Sequence, residues 1–560
     1  MDGTAKRVKS SNGTPYTEKG GYQVINAVGH IMRLKDPEDF DESYKKWSLD
    51  SLPIFFENWG VKPDPTKEAL VSCMGELIGK ADLIINAGDI DDEGQLLVDE
   101  IIDYFRYKGP VKRLRTNDLS VIPMKRALAN LEDNAQWYSR GVSAAARRIA
   151  DKTVGFTLTR FYSILNNTTL SVGRVQTPTL GLLISRDMII ENHIKQKYYE
   201  LYMNLTVAGH ATHEVSAKFI PVKGSRLLDE NGKVTDKSEL EKICSFFTHK
   251  SAPTTITQKL DFEAPPLPFN LMKLGVYCSS KFGYDPTQVM EITQTLRDKY
   301  KAITYNRSDC RYLSDDDFAY APGILASVKA NLPNLQIVSD CSTKPKCYDS
   351  SKISEHTAII PTMERFDTSL LTKEQMNVYT AICVFFAIQF MPPCKKNVTV
   401  LVADIGKGNI LRSVASQVVD KGYKELLSQG QGAADEQEFL STIPAGKYIS
   451  NIQSGNIAEC ETKPPNRYTK ATLQEDMSRI VKYVNDPEVK RILIEKDKGK
   501  EGVSGSIGTA ATCPSIIDTL ITRGYATISN GKMISTEKGR EFYDILPDSV
   551  RKPDMTARWW

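Results

Sequence analysis

The chain has no run of apolar residues near the roughly 20 that a membrane-spanning helix requires. It has no C-x-x-C pair among its ten cysteines, and 72 lysines and arginines stand against 69 acids, leaving little net charge. The first absence excludes helical membrane proteins, and the opening "MDGTAKRVKSSNGTPYTEKGG" lacks the apolar core of a signal peptide, so a cytoplasmic protein with no membrane partner is expected. The cysteine spacing excludes a zinc ribbon and a disulfide framework, leaving buried or idle thiols. A balance of +3 over 560 residues excludes general attraction to polyanions, so any nucleic-acid site must be local. The glycine-rich "DKGKEGVSGSIGTAAT" could form a phosphate-binding nest, but G-x-x-x-x-G-K-[ST] is missing and ATP hydrolysis is not expected.

What is there is an ordinary globular composition, 41% hydrophobic and 25% charged, in a chain too long for one core. Residues 1–137 alternate strand-like and helix-like segments, such as "DLIINAGD" and "QLLVDEIIDYF", which predicts an α/β sheet domain. Residues 138–197 carry helical spacing. Residues 198–263 and 394–463 show the alternation of strands, and two such blocks can pair into one domain interrupted by an insertion. The insertion, 264–393, opens on the breaker "APPLPF" and is mostly helical, with Val289, Ile292 and Leu296 on one helix face. Residues 464–560 return to helix. The expected fold class is multidomain, α/β plus α.

The stretch "LIINAGDIDDEGQLLVDEIIDYF" places Asp89, Asp91, Asp92 and Glu93 between an apolar run and an amphipathic one. The run reads as a buried parallel strand, so the acids fall at its carboxyl end, where α/β sheets hold ligands. Like charges at 4 Å repel by roughly 4 kcal/mol at an effective dielectric of 20. A helix N-terminus returns only about 0.3–1 kcal/mol per acid. A hard divalent cation answers that deficit, and Mg²⁺ would take a few carboxylates and keep waters for phosphate chemistry. A solvated acidic loop with an N-capping aspartate is the alternative.

In "KAITYNRSDCRYLSDDDF", strand-like "AITY" would present Tyr305 and Arg307 on one side. A phenol is a weak nucleophile at neutral pH and needs cations near it, a task that suits the arginine fork; a packing role is the alternative. In "SVGRVQTPTL", polar donors crowd a glycine that permits close backbone approach, a surface suited to single-stranded phosphates; a helix start with an exposed arginine is the alternative.

The order strand, D-x-D-x-E-G, helix resembles the Toprim fold. The passage "APPLPFNLMKLGVYCSSKFGYDPTQVMEITQTLRDKYKAITYNRSDCRYL" resembles the active-site region of type IA DNA topoisomerases, nearest to topoisomerase III. "INAVGHIMRL", "SAAARRIADKTVGFTLTR", "SVGRVQTPTL", "KISEHTAIIPT", "KPPNRYTKATL" and "GSIGTAATCPSIIDTLITRGY" extend the resemblance over nearly the whole chain.

The resemblance implies a toroid. A Toprim domain at 1–137 and a helical DNA-binding domain at 138–197 and 464–560 would form its base. A β-rich arch would span 198–263 and 394–463, and a gate at 264–393 would carry the tyrosine. It implies Tyr305 as nucleophile, Arg307 and His356 as stabilisers of phosphate charge, and Mg²⁺ on Asp89, Asp91 and Glu93. DNA contacts are implied at Arg147, Arg148, Ser171, Gly173, Arg174, Val175, Gln176, Thr177, Arg311, Thr509 and Thr512. The implied partners are single-stranded and negatively supercoiled DNA, with RNA left open, and the implied state is a monomer. The implied reaction is an ATP-independent break and religation through a 5′-phosphotyrosine.

There are departures. The family's Toprim domain begins on an apolar strand ending in glutamate, absent from the first 21 residues, and Glu18 lacks that lead-in. Both ends are therefore expected to be clipped, and cleavage is expected to be weak. Asp92 and Cys513 stand where the family usually has arginine. Two other readings compete: a DNA-binding clamp that keeps the toroid but not the chemistry, and a Toprim nuclease or primase, which leaves "AITYNRSDCRYL" unexplained.

Overall fold

The computed structural model describes residues 5–27, 29–337, 340–353, 355–427, 438–497 and 503–553. The glycine-rich reading at 498–502 and the end beyond 553 lie outside the described residues.

The acidic loop joins the strand Ile84–Asn86 to the helix Asp92–Tyr104. The strand pairs in parallel with Val111–Arg113, which in turn pairs antiparallel with Glu132–Asp133. Leu96, Ile101 and Ile102 form the buried stripe of the helix, so the switch from an apolar run to helical spacing marks the turn. Ahead of this unit, Lys6–Lys9, Pro15–Lys19 and Tyr22–Val24 form a separate antiparallel sheet, in which Glu18 accepts hydrogen bonds from Tyr16 and Gln23.

The long helix Tyr138–Leu165 packs against Asp92–Tyr104 at a glycine: a Cβ on Gly141 would stand 3.1 Å from Asp99 Oδ2. The helix Gln176–Glu191 buries Leu180, Leu183 and Ile184 in one core with Leu473, Met477, Leu493, Ile517 and Phe542. Helical stretches nearly 300 positions apart thus share an interior.

The strands Lys197–Val207, His210–Ile220, Ser251–Glu263, Cys394–Asp404, Ile410–Asp420 and Gly446–Glu461 close into one antiparallel barrel. Closure leaves no sheet edge and buries Leu205, Ala217, Ile256, Leu401, Leu411 and Ile452 inside. The intervening 264–393 segment has its own core, in which Leu274, Val289, Leu296, Val328, Ile382 and Phe386 are fully buried. Its helix Pro286–Asp298 begins on Asp285, whose carboxylate accepts from Thr287 N–H, and on a proline at its first turn.

"AITY" does not form a strand. Ile303 makes one isolated bridge, to Pro361, which has no N–H to extend a ladder, and the Ile360 N–H is taken by the Thr304 hydroxyl at 3.0 Å. Among the described residues, no helix is long and apolar enough to cross a membrane.

Candidate active site

The acidic loop owes its shape to two glycines. A Cβ on Gly88 would meet Gly94 O at 2.3 Å, and one on Gly94 would meet Asp89 O at 2.3 Å, so any side chain at either position forces the turn open. Asp91 caps the following helix, its Oδ1 accepting from Gly94 N–H at 2.7 Å. Beneath the loop, Arg113 is buried and donates from Nη1 to Asn86 O, Asn86 Oδ1 and Gly88 O, tying down the backbone that carries Asp89.

The acids divide between different partners. Asp89 Oδ1 accepts from Arg297 Nη2 at 2.8 Å. Asp91 Oδ2 accepts the Tyr305 hydroxyl at 3.1 Å and lies 3.4 Å from His356 Nε2. Asp92 accepts from Arg140 Nε at 2.6 Å, and Arg140 also pairs with Glu355. Glu93 lies 3.4 Å from His30 and 3.5 Å from Arg147. The four carboxylates therefore do not converge, and among the described residues no group of three acids, histidines or cysteines can hold a metal ion. Asp91 bonds Tyr305 directly and Asp89 is linked to it through Arg297, whereas Glu93 lies in a separate cationic cluster.

Tyr305 is 4% exposed. Its N–H donates to Asn117 O at 2.9 Å, its ring stacks on His356 with centroids 4.0 Å apart, and Arg297 lies over the ring at 4.7 Å. Asn117 also holds His356, with 2.8 Å between Oδ1 and Nδ1. Burial, then the charges of Asp89 and Asp91, push the phenol far above its ordinary value, while Arg307 pulls the other way. Burial favours a neutral Asp91, but the hydrogen bonds from His356 and Gly94 N–H outweigh it and hold its carboxyl at about 2. Arg307 is exposed and acts on the tyrosine through its charge.

A family model for DNA topoisomerases matches residues 138–560, and one for the Toprim domain matches residues 2–119. The DNA topoisomerase 3 of Vibrio cholerae is 34% identical over 95% of this chain and 83% of that protein. That of Salmonella typhimurium is 33% identical over 98% of this chain and 85% of that protein. Full-length topoisomerase I from Thermotoga maritima shares the fold, with a TM-score of 0.65, over 96% of this chain and 82% of that one at 22% identity. This chain belongs to the type IA DNA topoisomerase family. It is an isomerase that changes DNA topology.

In this topoisomerase several arginines that the resemblance implies as DNA contacts are bonded to groups of the protein itself. Arg174 forms a two-pronged pair with Asp151 at 2.8 and 3.0 Å, Arg147 faces Asp92 and Glu93, and Arg148 donates to Glu100 at 2.7 Å. Arg311 is bound to the carbonyls of Leu267 and Pro268 and anchors the "APPLPF" breaker. Ser171 N–H reaches the Tyr525 hydroxyl at 3.3 Å, and the buried Thr177 hydroxyl accepts from Gly173 N–H at 3.2 Å. Gln176 accepts from Arg523 at 2.6 Å and keeps a buried Nε2 without a partner. Val175 packs near Gly508, and Thr509 and Thr512 cap one another, hydroxyl to N–H, at the exposed start of the helix Cys513–Thr522. Cys513 itself is buried in the helical core.

Sequence reasoning missed Arg113, Asn117 and Arg297. A charged residue inside a short strand was the available signal for Arg113. Nothing local marked the other two, since their partners come from other segments.

Proposed function

We propose that Tyr305 cleaves single-stranded DNA by attacking a backbone phosphorus, forming a 5′-phosphotyrosine and releasing a 3′-hydroxyl. A second strand passes through the break before the hydroxyl attacks back. The carrying observation is the Tyr305 hydroxyl on Asp91 at 3.1 Å, with His356 stacked on the ring and sharing that carboxylate. Asp91, ionised near neutral pH, is the group placed to accept the phenolic proton, and the leaving 3′ oxygen takes its proton from the site or solvent. His356 and Arg307 stabilise the charge that develops on the phosphate. Because the covalent link preserves the phosphodiester energy, religation proceeds without ATP.

The donor set at Asp89 and Asp91 suits Mg²⁺, which binds through one or two carboxylates and retains waters. Bound there, it would supply electrostatic stabilisation to the phosphate and to the 3′ end. Glu93 is better placed to anchor His30 and Arg147 than to join that pair. The segments 1–137, 138–197 with 464–560, 198–263 with 394–463, and 264–393 serve as Toprim domain, helical DNA-binding base, arch and gate of a monomeric toroid. Strand phosphates engage Arg147, Arg148 and Arg174 by competing with their present carboxylate partners.

Incubation with an end-labelled single-stranded oligonucleotide, followed by denaturation, tests the proposal. The wild type should carry covalent DNA and Tyr305→Phe none. An intact DNA-binding clamp without chemistry would leave no adduct in either protein.

A further inference from the structure

The helix Pro286–Asp298 commits Val289, Ile292 and Leu296 to the core of the gate segment. Arg297 follows Leu296 and is 9% exposed, yet its guanidinium leaves that core and reaches the Toprim domain. Nη2 donates to Asp89 Oδ1 at 2.8 Å, and the guanidinium lies over the Tyr305 ring. Its Nε is buried without a hydrogen-bond partner. Burying an arginine with an orphaned N–H is unfavourable unless an opposite charge compensates. Asp89 is that charge, and among the described residues Arg297 is the cation that forms its salt bridge. Arg113 does not substitute, because it donates to carbonyl oxygens below the loop and not to the carboxylate.

A guanidinium on Oδ1 leaves Oδ2 for a divalent ion, but the two cations share one carboxylate and repel one another. We infer that Arg297 is the built-in counter-cation of the acidic site: it ties Asp89 to the gate while no metal is bound, and Mg²⁺ binds against its charge. The inference rests on the assignment of Mg²⁺ to Asp89 and Asp91. Its consequence is that metal occupancy loosens one of the ties that keep the gate on the Toprim domain.

Calorimetric titration of Mg²⁺ into the full chain without DNA tests this, using wild type, Arg297→Gln, Arg297→Lys and Asp91→Asn. Arg297→Gln should bind Mg²⁺ about tenfold more tightly or better, since a neighbouring positive charge has gone. Arg297→Lys, which keeps a cation, should stay near wild type, and Asp91→Asn should lose the binding. Should Arg297→Gln fail to fold, Arg297→Met, of similar bulk and no charge, should show the same gain. Equal or weaker binding in the uncharged variants, with binding still lost in Asp91→Asn, overturns the counter-cation role and leaves the metal assignment standing. No binding by any form at millimolar Mg²⁺ overturns both.

Discussion

Two of the junctions at which the 264–393 segment meets the rest of the molecule differ in character. At the Toprim domain the contact includes Tyr305, His356 and Arg297 on two carboxylates, Tyr305 and His356 on Asn117, and Arg126 facing Asp316, with the buried Arg297 Nε left without a partner. At the C-terminal helices it is a set of ion pairs: Lys273 with Glu475 at 2.6 Å, and Lys470 bridging Asp285 and Asp518 at 2.7 and 2.5 Å. The Thr287 hydroxyl completes it by donating to Asp518. The first junction holds incompletely satisfied groups that a DNA phosphate or a metal ion could complete. The second is satisfied as it stands. The interior of the 264–393 segment is a continuous apolar core that also takes in Cys394, Tyr423 and Leu426 from the neighbouring β-rich segment, so apolar packing ties it to the barrel while charges mark the other two seams.

If that division is real, substitutions at the two junctions should separate chemistry from attachment. The largest effect is expected from Asp91→Asn, which removes the acceptor of the phenolic proton while retaining an N-cap. Adduct formation on a single-stranded oligonucleotide should fall about 10²-fold or more, with little change in thermal unfolding. A rate within a factor of two of wild type would break the comparison on the catalytic side. Lys470→Met should do the opposite. It frees Asp285 and Asp518 at a cost of about 1 kcal/mol, accelerating hydrogen exchange in the helix Pro286–Asp298 while leaving adduct formation unchanged. Unaltered exchange there would show that the ion pairs do not hold the seam.

The smallest effect sharpens the electrostatic side. The carboxylates of Glu100, at 3.6 Å, and Glu93, at 3.4 Å, raise His30 from its ordinary value of 6.5 to about 9 against the opposing effect of burial. A raised folded-state pKa stabilises the fold fully below the unfolded value and is lost as pH rises through the folded one. Because the side chain is 40% exposed, screening reduces the contribution to about 1 kcal/mol. Denaturation between pH 6.5 and pH 9.5 should therefore show a loss in wild type that His30→Gln lacks, and parallel curves would remove His30 from the cluster.

The acidic turn was legible because its cause is local: an apolar run, an N-capping aspartate and two glycines at a tight approach follow one another in ten residues. The alternating blocks at 198–263 and 394–463 were legible for the same reason, since period-two burial is written into each strand. Tyr305 was legible by resemblance and not by its own conformation, because "AITY" is held by contacts with residues 358–362 that no window around the tyrosine contains. The arginines of the helical base are a different case. Arg174, Arg147 and Arg148 look exposed when their helices are read alone, and their carboxylate partners lie 23, 54 or 55, and 48 residues away. Arg297 escaped notice because it follows a core leucine on an amphipathic helix, where a charge ordinarily means solvent.

The central claim is that Tyr305 is the covalent nucleophile and that it retains the 5′ side of the break. Protease digestion of the trapped adduct, with mass spectrometry of the nucleotide-bearing peptide, measures both at once. A single modified peptide containing Tyr305, joined through a 5′ phosphate, is expected. An adduct on any other residue, or one joined through a 3′ phosphate, would contradict it.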